Sequence, residues 1–257
     1  MTELAELRER RAVECRLAPE RALETLDEAE EFLRDRGLLT RTTGSALPSL
    51  FAACHEEPYA RASRGFGQWP ATKFPWFGEL GACGHLTLAI HRGKSLLVTE
   101  QVAELLDPIC RAELARMEDA DEDWARLLRH LADAGPSELE DLQTELSLTP
   151  KELKQLRRPL ERCGAVVSRA LVYEAPHRHT SELARWDQVH PEAGGSGVDP
   201  RRALGELVCA GVRAAVVAPE HELARWFSWR WYWDDGLVEA LVSSGRLRRV
   251  EGYVAAG

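Results

Sequence analysis

The run His55-Glu56-Glu57 sets an imidazole beside two carboxylates, the residue types that carry protons in hydrolytic chemistry. With a substrate held over it, Glu56 or Glu57 would activate a water; the competing reading is a charged helix end. His177-x-His179 puts both imidazoles on one face of an extended segment, a spacing that admits a metal. A third ligand would have to fold in from Glu182, Asp187 or His190, so the expectation is a polar structural knot and no bound metal. Gly78-x-x-Gly81-x-x-Gly84 has no phosphate-loop pattern. The six cysteines are scattered without a C-x-x-C pair, which argues against zinc and for buried, reduced thiols. No cofactor is expected.

The cations suggest a different chemistry. The chain carries a formal charge of −9, which gives no long-range attraction for nucleic acid, but the charge is uneven. Residues 118–145 hold ten acids against two arginines. Residues 151–169 hold Lys151, Lys154, Arg157, Arg158, Arg162 and Arg169 against two acids. Residues 58–99 hold Arg61, Arg64, Lys73, Arg92 and Lys94 against Glu79 alone. Phosphate contact is expected from Lys151, Lys154, Arg157 and Arg158, and from Arg92 and Lys94 at a turn. A solvated charged face is the alternative. Trp69, Phe74, Trp76 and Phe77, like Trp226, Trp229, Trp231 and Trp233, are read as plugs between units rather than base-stacking platforms.

The elements that must position these groups follow from periodicity. Residues 3–16 read as a charged helical arm, and 20–36 as a helix closed by Gly37. A short β-like run covers 38–43, and a helix capped by Ser45 covers 46–56. His85 to Val98 reads as a hairpin with Arg92-Gly93-Lys94 at its tip. Thr99 caps a helix over 100–117 that Pro108 should bend or split. An acidic helix, a turn at Gly135-Pro136 and a short helix lead to Thr149-Pro150-Lys151-Glu152, a strong helix start signal. The basic helix 150–162 and a β-run over 165–173 complete a helix-turn-helix followed by a wing. A helix is expected from about Ser181, a loop at 191–197, a helix then a strand over 200–217, helices over 219–227 and 235–243, and a terminal hairpin around Glu251-Gly252. Glu182-Leu183-Ala184-Arg185-Trp186 recurs as Glu222-Leu223-Ala224-Arg225-Trp226, five residues with little weight as a repeat.

The expected fold class is mainly α with small β wings, an α+β protein of tandem winged-helix domains. The domains expected are an arm at 1–19, a first winged helix with an aromatic insertion at 20–117, a central one at 118–176, a helix and linker at 177–199, and a winged-helix-like unit at 200–257. Leu47-Pro48-Ser49-Leu50-Phe51, Cys54 to Pro58, Arg64 to Pro70, His91 to Val98 and His177 to Trp186 resemble a short subgroup of the winged-helix relatives of the bacterial DNA glycosylases that unhook interstrand crosslinks. The resemblance covers about residues 20–257 and implies a DNA-binding, DNA-repair fold. It also implies a Gln-x-Gln or Gln-x-Asp pair, holding the attacking water, on the strand after the first helix. Here Thr40 and Thr42 stand at those positions, with Arg41 between them near any lesion pocket. A threonine hydroxyl can hold a water but cannot act as a general base as a carboxylate does.

The function expected is binding of double-stranded or damaged DNA through a local basic face. One alternative is an active glycosylase that hydrolyses the N-glycosidic bond of alkylated purines through a rearranged group such as Glu56 or Glu57. The other is a protein-binding scaffold, in keeping with the acidic segment. No run approaches a membrane span and the first residues are charged, so a cytoplasmic protein without membrane contact is expected.

Overall fold

The computed structural model describes residues 2–57, 69–120, 122–174, 177–191 and 197–257, without the side chains of 172–174 and 177–179. The expectations for Arg61, Arg64 and the rest of 58–68, and for the His177 and His179 imidazoles, lie outside the described residues and side chains.

Helix α1 (Glu3–Glu14) starts at Thr2, whose hydroxyl accepts the Ala5 amide. Its Leu4 and Leu7 pack with Val216, Val217 and Val250, so the charged arm lies on the last sheet. The helix expected over 20–36 begins later. Pro19–Arg21 form a 3-10 turn, and the Leu23 amide donates to the Ala53 carbonyl at 2.9 Å, which holds the chain extended. Thr25 then caps α2 (Leu26–Arg36) by accepting the Glu28 amide, and Gly37 closes it at φ 77°. Strand β1 (Leu38–Thr40) is shorter than the β-like run. The Thr40 amide and hydroxyl both donate to the Pro48 carbonyl, at 2.8 and 3.0 Å. That tie delays the next helix, α3 (Leu50–Ala53), which is capped by Ser49 rather than Ser45.

Helix α4 (Trp76–Ala82) precedes the expected hairpin, β2 (Leu86–His91) and β3 (Lys94–Val98). Arg92 and Gly93 turn it at φ 54° and 71°, the left-handed pair of a tight hairpin turn. Helix α5 (Glu100–Glu118) is not split by Pro108. Leu106, Ile109 and Cys110 are buried on both sides of the proline, and that packing offsets a penalty of about 3 kcal/mol.

The middle of the chain forms α6 (Asp123–Ala134), β4 (Ser137–Glu138), α7 (Leu139–Glu145) and α8 (Pro150–Cys163). The α8 start is the expected capping box. Thr149 Oγ1 accepts the Glu152 amide at 3.3 Å, and the Glu152 carboxylate accepts the Thr149 amide at 2.8 Å. Next come β5 (Val166–Glu174) and β6 (His177–Arg185), then α9 (Trp186–Val189). The helix expected from Ser181 is therefore strand up to Arg185. A ladder running from Val166–Arg185 to Glu174–His177 satisfies its backbone, and Leu183 points inward. The last third forms α10 (Pro200–Ala215), β7 (Val217–Pro219), 3-10 turns at Glu220–Arg225 and Arg230–Tyr232, α11 (Leu237–Ser243), β8 (Leu247–Val250) and β9 (Tyr253–Ala256). The helix expected over 219–227 is thus a 3-10 turn.

The result is an α+β fold with three small antiparallel sheets, ordered β1-β3-β2, β4-β6-β5 and β7-β9-β8. Each sheet places the second strand of its hairpin in the middle. One core runs through the first and third sheets, with Leu38, Ile90, Leu96 and Val98 in the same cluster as Val212, Trp226 and Val254. The middle unit has its own core around Leu128, Leu142, Leu160 and Leu183. Two buried carboxylates on α5 tie the parts together. Asp107 accepts the Trp186 indole N–H at 2.8 Å, and Glu113 accepts that of Trp231 at 2.9 Å.

Candidate functional site

Along α8 the exposed side chains Lys151, Lys154, Arg158 and Arg162 fall at i, i+3, i+7 and i+11, which is one stripe of a helix. The opposite side, Leu153, Leu160 and Cys163, is buried in the middle core. The stripe ends at the tip of the β2–β3 hairpin. There the Arg162 guanidinium covers Gly93, and a Cβ on that glycine would lie 3.2 Å from the Arg162 Nε. Arg92 donates through Nε to the Arg225 carbonyl and through Nη1 to the Gly44 carbonyl, both at 2.9 Å. Arg92, Lys94, Arg162 and Arg225 are all exposed at this corner, and none forms an ion pair among the described residues. Arg157 departs from the stripe: it pairs with Glu161 at 3.0 Å.

The corner is braced from behind. Ser228 donates its amide to the Ile90 carbonyl at 2.9 Å, and the Trp229 indole donates to the Cys163 carbonyl at 2.9 Å. Gly164 ends α8 at φ 80°, and a Cβ there would come within 2.6 Å of the Cys110 sulfur. Trp226 and Trp229 are fully buried, as plugs between units should be, whereas Trp231 is 50% exposed.

Beside the stripe lies a cleft of about 640 Å³ between α4 and β2 on one side and β5 and β6 on the other. Its ionisable lining includes Arg41, His85, Glu161, Arg169 and Glu182. Lys151, Lys154, Arg158, Arg92 and Lys94 do not line it, so the cations of the stripe and those of the hollow are separate sets. The Arg41 guanidinium sits 4.6 Å from the Phe77 ring centre and 5.6 Å from that of Trp69. Burial lowers its pKa. Glu161 is also partly enclosed; burial pushes its carboxyl above the usual range, and Arg157 opposes the shift. Glu182 pairs with Arg169 at 3.0 Å.

The carboxylates nominated from sequence stand elsewhere. Glu56 accepts hydrogen bonds from Thr72 Oγ1, the Thr72 amide and the Lys73 amide, at 2.6, 3.0 and 2.9 Å. Burial opposes ionisation of Glu56, but those hydrogen bonds outweigh it and hold the carboxyl below its ordinary range, which makes it a weak base. His55 turns away to the Arg16 carbonyl at 2.7 Å, so the imidazole and carboxylate do not form a pair. Glu57 is exposed. Thr40 is buried with its hydroxyl on Pro48, and Thr42 is half-buried. Among the described residues no three His, Cys, Asp or Glu side chains gather to hold a metal ion. The sequence places Arg162 among the cations of 151–169 but does not single out Glu161 and Arg169 as cleft groups or Arg225 as a corner group, because these depend on how distant segments meet.

Three like-ordered small antiparallel sheets among helices, with a cationic stripe and an adjoining cleft, make this an α+β protein. Among solved structures the chain is similar to Streptomyces sahachiroi DNA glycosylase AlkZ, with a TM-score of 0.59 and 14% identity over 99% of this chain and 69% of that one. No protein-family model matches the chain, and no curated protein matches it. Among the described residues no helix is long and apolar enough to cross a membrane.

Proposed function

We propose that the protein binds duplex or damaged DNA, with three winged-helix units as its scaffold and the α8 stripe and β2–β3 tip as its phosphate-contacting face. The observation that carries this reading is the run of exposed cations from Lys151 through Arg162 to Lys94, none of them ion-paired among the described residues. Eleven residues of helix at about 1.5 Å each give a track of roughly 16 Å, enough to follow several phosphates. The acidic remainder of the chain makes the contact local rather than steered from afar. The solved DNA glycosylase of similar fold is consistent with a DNA partner, and a reducing cytoplasmic setting agrees with the cysteine pattern.

Electrophoretic retardation of a duplex across a salt series tests the reading. Binding at low salt that falls steeply as salt rises is expected. No retardation at low salt would remove it.

A second reading, hydrolysis of an N-glycosidic bond, is favoured by the position of Glu161 in the cleft. A water would add its oxygen to C1′ and pass its proton to the Glu161 carboxylate, while the C1′–N bond breaks and its electron pair leaves with the base. The expected result is release of alkylated purine from DNA, lost in Glu161→Gln and kept in Glu56→Gln. Release that survives Glu161→Gln would exclude this group.

A further inference from the structure

A second cavity, of about 310 Å³, lies where α1 and the loop between β1 and α3 meet the third sheet. Arg8 and Arg11 of α1 line it, with Ser45, Val217, Glu222 and Tyr253. The two arginines stand three residues apart and so share one side of the helix. Arg8 donates through Nη2 to the Tyr253 hydroxyl at 3.0 Å, and its guanidinium lies 4.9 Å from that ring's centre. Arg11 donates through Nη1 to the Ala215 carbonyl at 2.6 Å. Neutral acceptors thus hold both guanidinium groups against the sheet, and neither forms an ion pair among the described residues. Nearby arginines do find carboxylates: Arg10 pairs with Glu14 at 3.0 Å, and Arg36 pairs with the same residue at 2.6 Å. The bonds to Tyr253 and Ala215 leave most of the fork of N–H donors on each group open to an anion.

The carboxylate in the lining, on Glu222, accepts the Ala46 amide at 2.9 Å. Two cations against one carboxylate leave the cavity a positive excess. The cavity also adjoins the cationic corner. The Gly44 carbonyl accepts Arg92 Nη1 at 2.9 Å, and a Cβ on Gly44 would lie 3.6 Å from Lys94 Nζ. The next residue, Ser45, lines the cavity. The cations therefore continue from Arg162 and the β2–β3 tip, past Gly44 and Ser45, to α1.

We infer that this cavity is a phosphate-binding site, in which the open donors of Arg8 and Arg11 take the oxygens of one phosphate group. A planar guanidinium matches two phosphate oxygens at once, and the Tyr253 hydroxyl, which accepts from Arg8, keeps its own proton to donate. Glu222 opposes the anion and limits its affinity. The phosphate belongs either to a DNA strand that runs beyond the corner or to a free phosphate in solution. The first source rests on the DNA reading; the site itself does not.

Two measurements separate the sources. Inorganic phosphate is titrated into the full chain by calorimetry at low ionic strength, and a duplex is retarded across a salt series. A slope of log affinity against log salt that falls by about one in Arg8→Gln assigns a phosphate of the strand. Saturable binding of inorganic phosphate that weakens about tenfold in Arg8→Gln, with the slope unchanged, assigns a free phosphate. In whichever arm responds, Glu222→Gln keeps an acceptor for the Ala46 amide, removes the opposing charge and raises affinity several-fold; a loss of affinity in that variant overturns the site. Thermal unfolding of both variants near the wild-type temperature verifies that the fold is kept. A duplex retarded with the same slope in Arg8→Gln, together with no phosphate binding or with phosphate binding that Arg8→Gln leaves unchanged, overturns the site and leaves the DNA reading standing. Phosphate binding that weakens in Arg8→Gln, in a chain that retards no duplex, keeps the site and removes the DNA reading. Failure of both measurements removes both.

Discussion

His91 Nδ1 lies 2.6 Å from the main-chain oxygen of Trp226, and its Nε2 lies 3.4 Å from Ser45 Oγ. One imidazole therefore joins the β2–β3 hairpin to the third sheet's unit. Burial pushes its pKa down to about 4; the Trp226 carbonyl opposes the shift, and Arg92 and Lys94 add to it. In the unfolded chain the same group titrates near 6.5. The unfolded state thus takes up the proton first, and the contribution of His91, complete above that value, is lost as the pH falls toward 4. The ceiling is about 3 kcal/mol. Denaturant midpoints measured from pH 7 to 4.5 should fall further for the wild type than for His91→Gln. Parallel pH profiles would show that this ring is not the acid-sensitive element.

The stripe makes a prediction about salt. Lys154→Gln and Arg158→Gln should each weaken duplex binding by a similar factor for unrelated sequences. Each should also reduce the slope of log affinity against log salt by about one. Arg157→Gln, which loses its Glu161 partner instead, should leave the slope near that of the wild type. Equal slopes for all three would mean that the stripe does not meet phosphate.

The two buried carboxylates of α5 should differ in cost. Asp107→Ala orphans the Trp186 indole N–H, which is fully enclosed. Glu113→Ala releases Trp231 and Arg116, whose side chains are about half exposed and can turn to water. Asp107→Ala is expected to lose about 1–3 kcal/mol for the stranded group, and Glu113→Ala less. Urea unfolding of both variants gives the order directly; the reverse order would refute the account of how α5 is tied to its neighbours.

Trp229 braces the end of α8 through the Cys163 carbonyl and stacks on Phe227 with ring centres 6.3 Å apart. Trp229→Ala should cost about 3–5 kcal/mol. Trp229→Phe should cost about 1–2 kcal/mol for the lost hydrogen bond. A surface-like change of a few tenths in either would contradict the buried position.

Features written in neighbouring residues were legible before the fold was known. The Thr149–Glu152 box, the Gly37 stop and the Arg92-Gly93 turn each depend on contacts within a few positions. The repeated five residues mark the limit. Glu182 to Arg185 is strand because β5 lies alongside, whereas Glu222 to Arg225 is a 3-10 turn following β7. Local propensity was the same in both, and tertiary surroundings decided. The candidate site divides likewise. The basic face of α8 was visible as helical spacing, but the enclosure of Arg41 by Phe77 and Trp69, and the placement of Glu161 in a cleft, arise from segments far apart in sequence.

The core that joins the first sheet to the third has a consequence for synthesis. Leu38, Ile90 and Leu96 leave the ribosome long before Trp226 and Val254, which belong to the same core. Until the last third is made, the nascent chain packs this core with residues such as Ala46, Leu47 and, on α5, Leu106 and Ile109, and the part completed by Val212, Trp226 and Val254 stays open. Such a chain should depend on chaperone holding until its final segment emerges, and a premature stop near residue 215 should yield aggregates rather than a shortened soluble product.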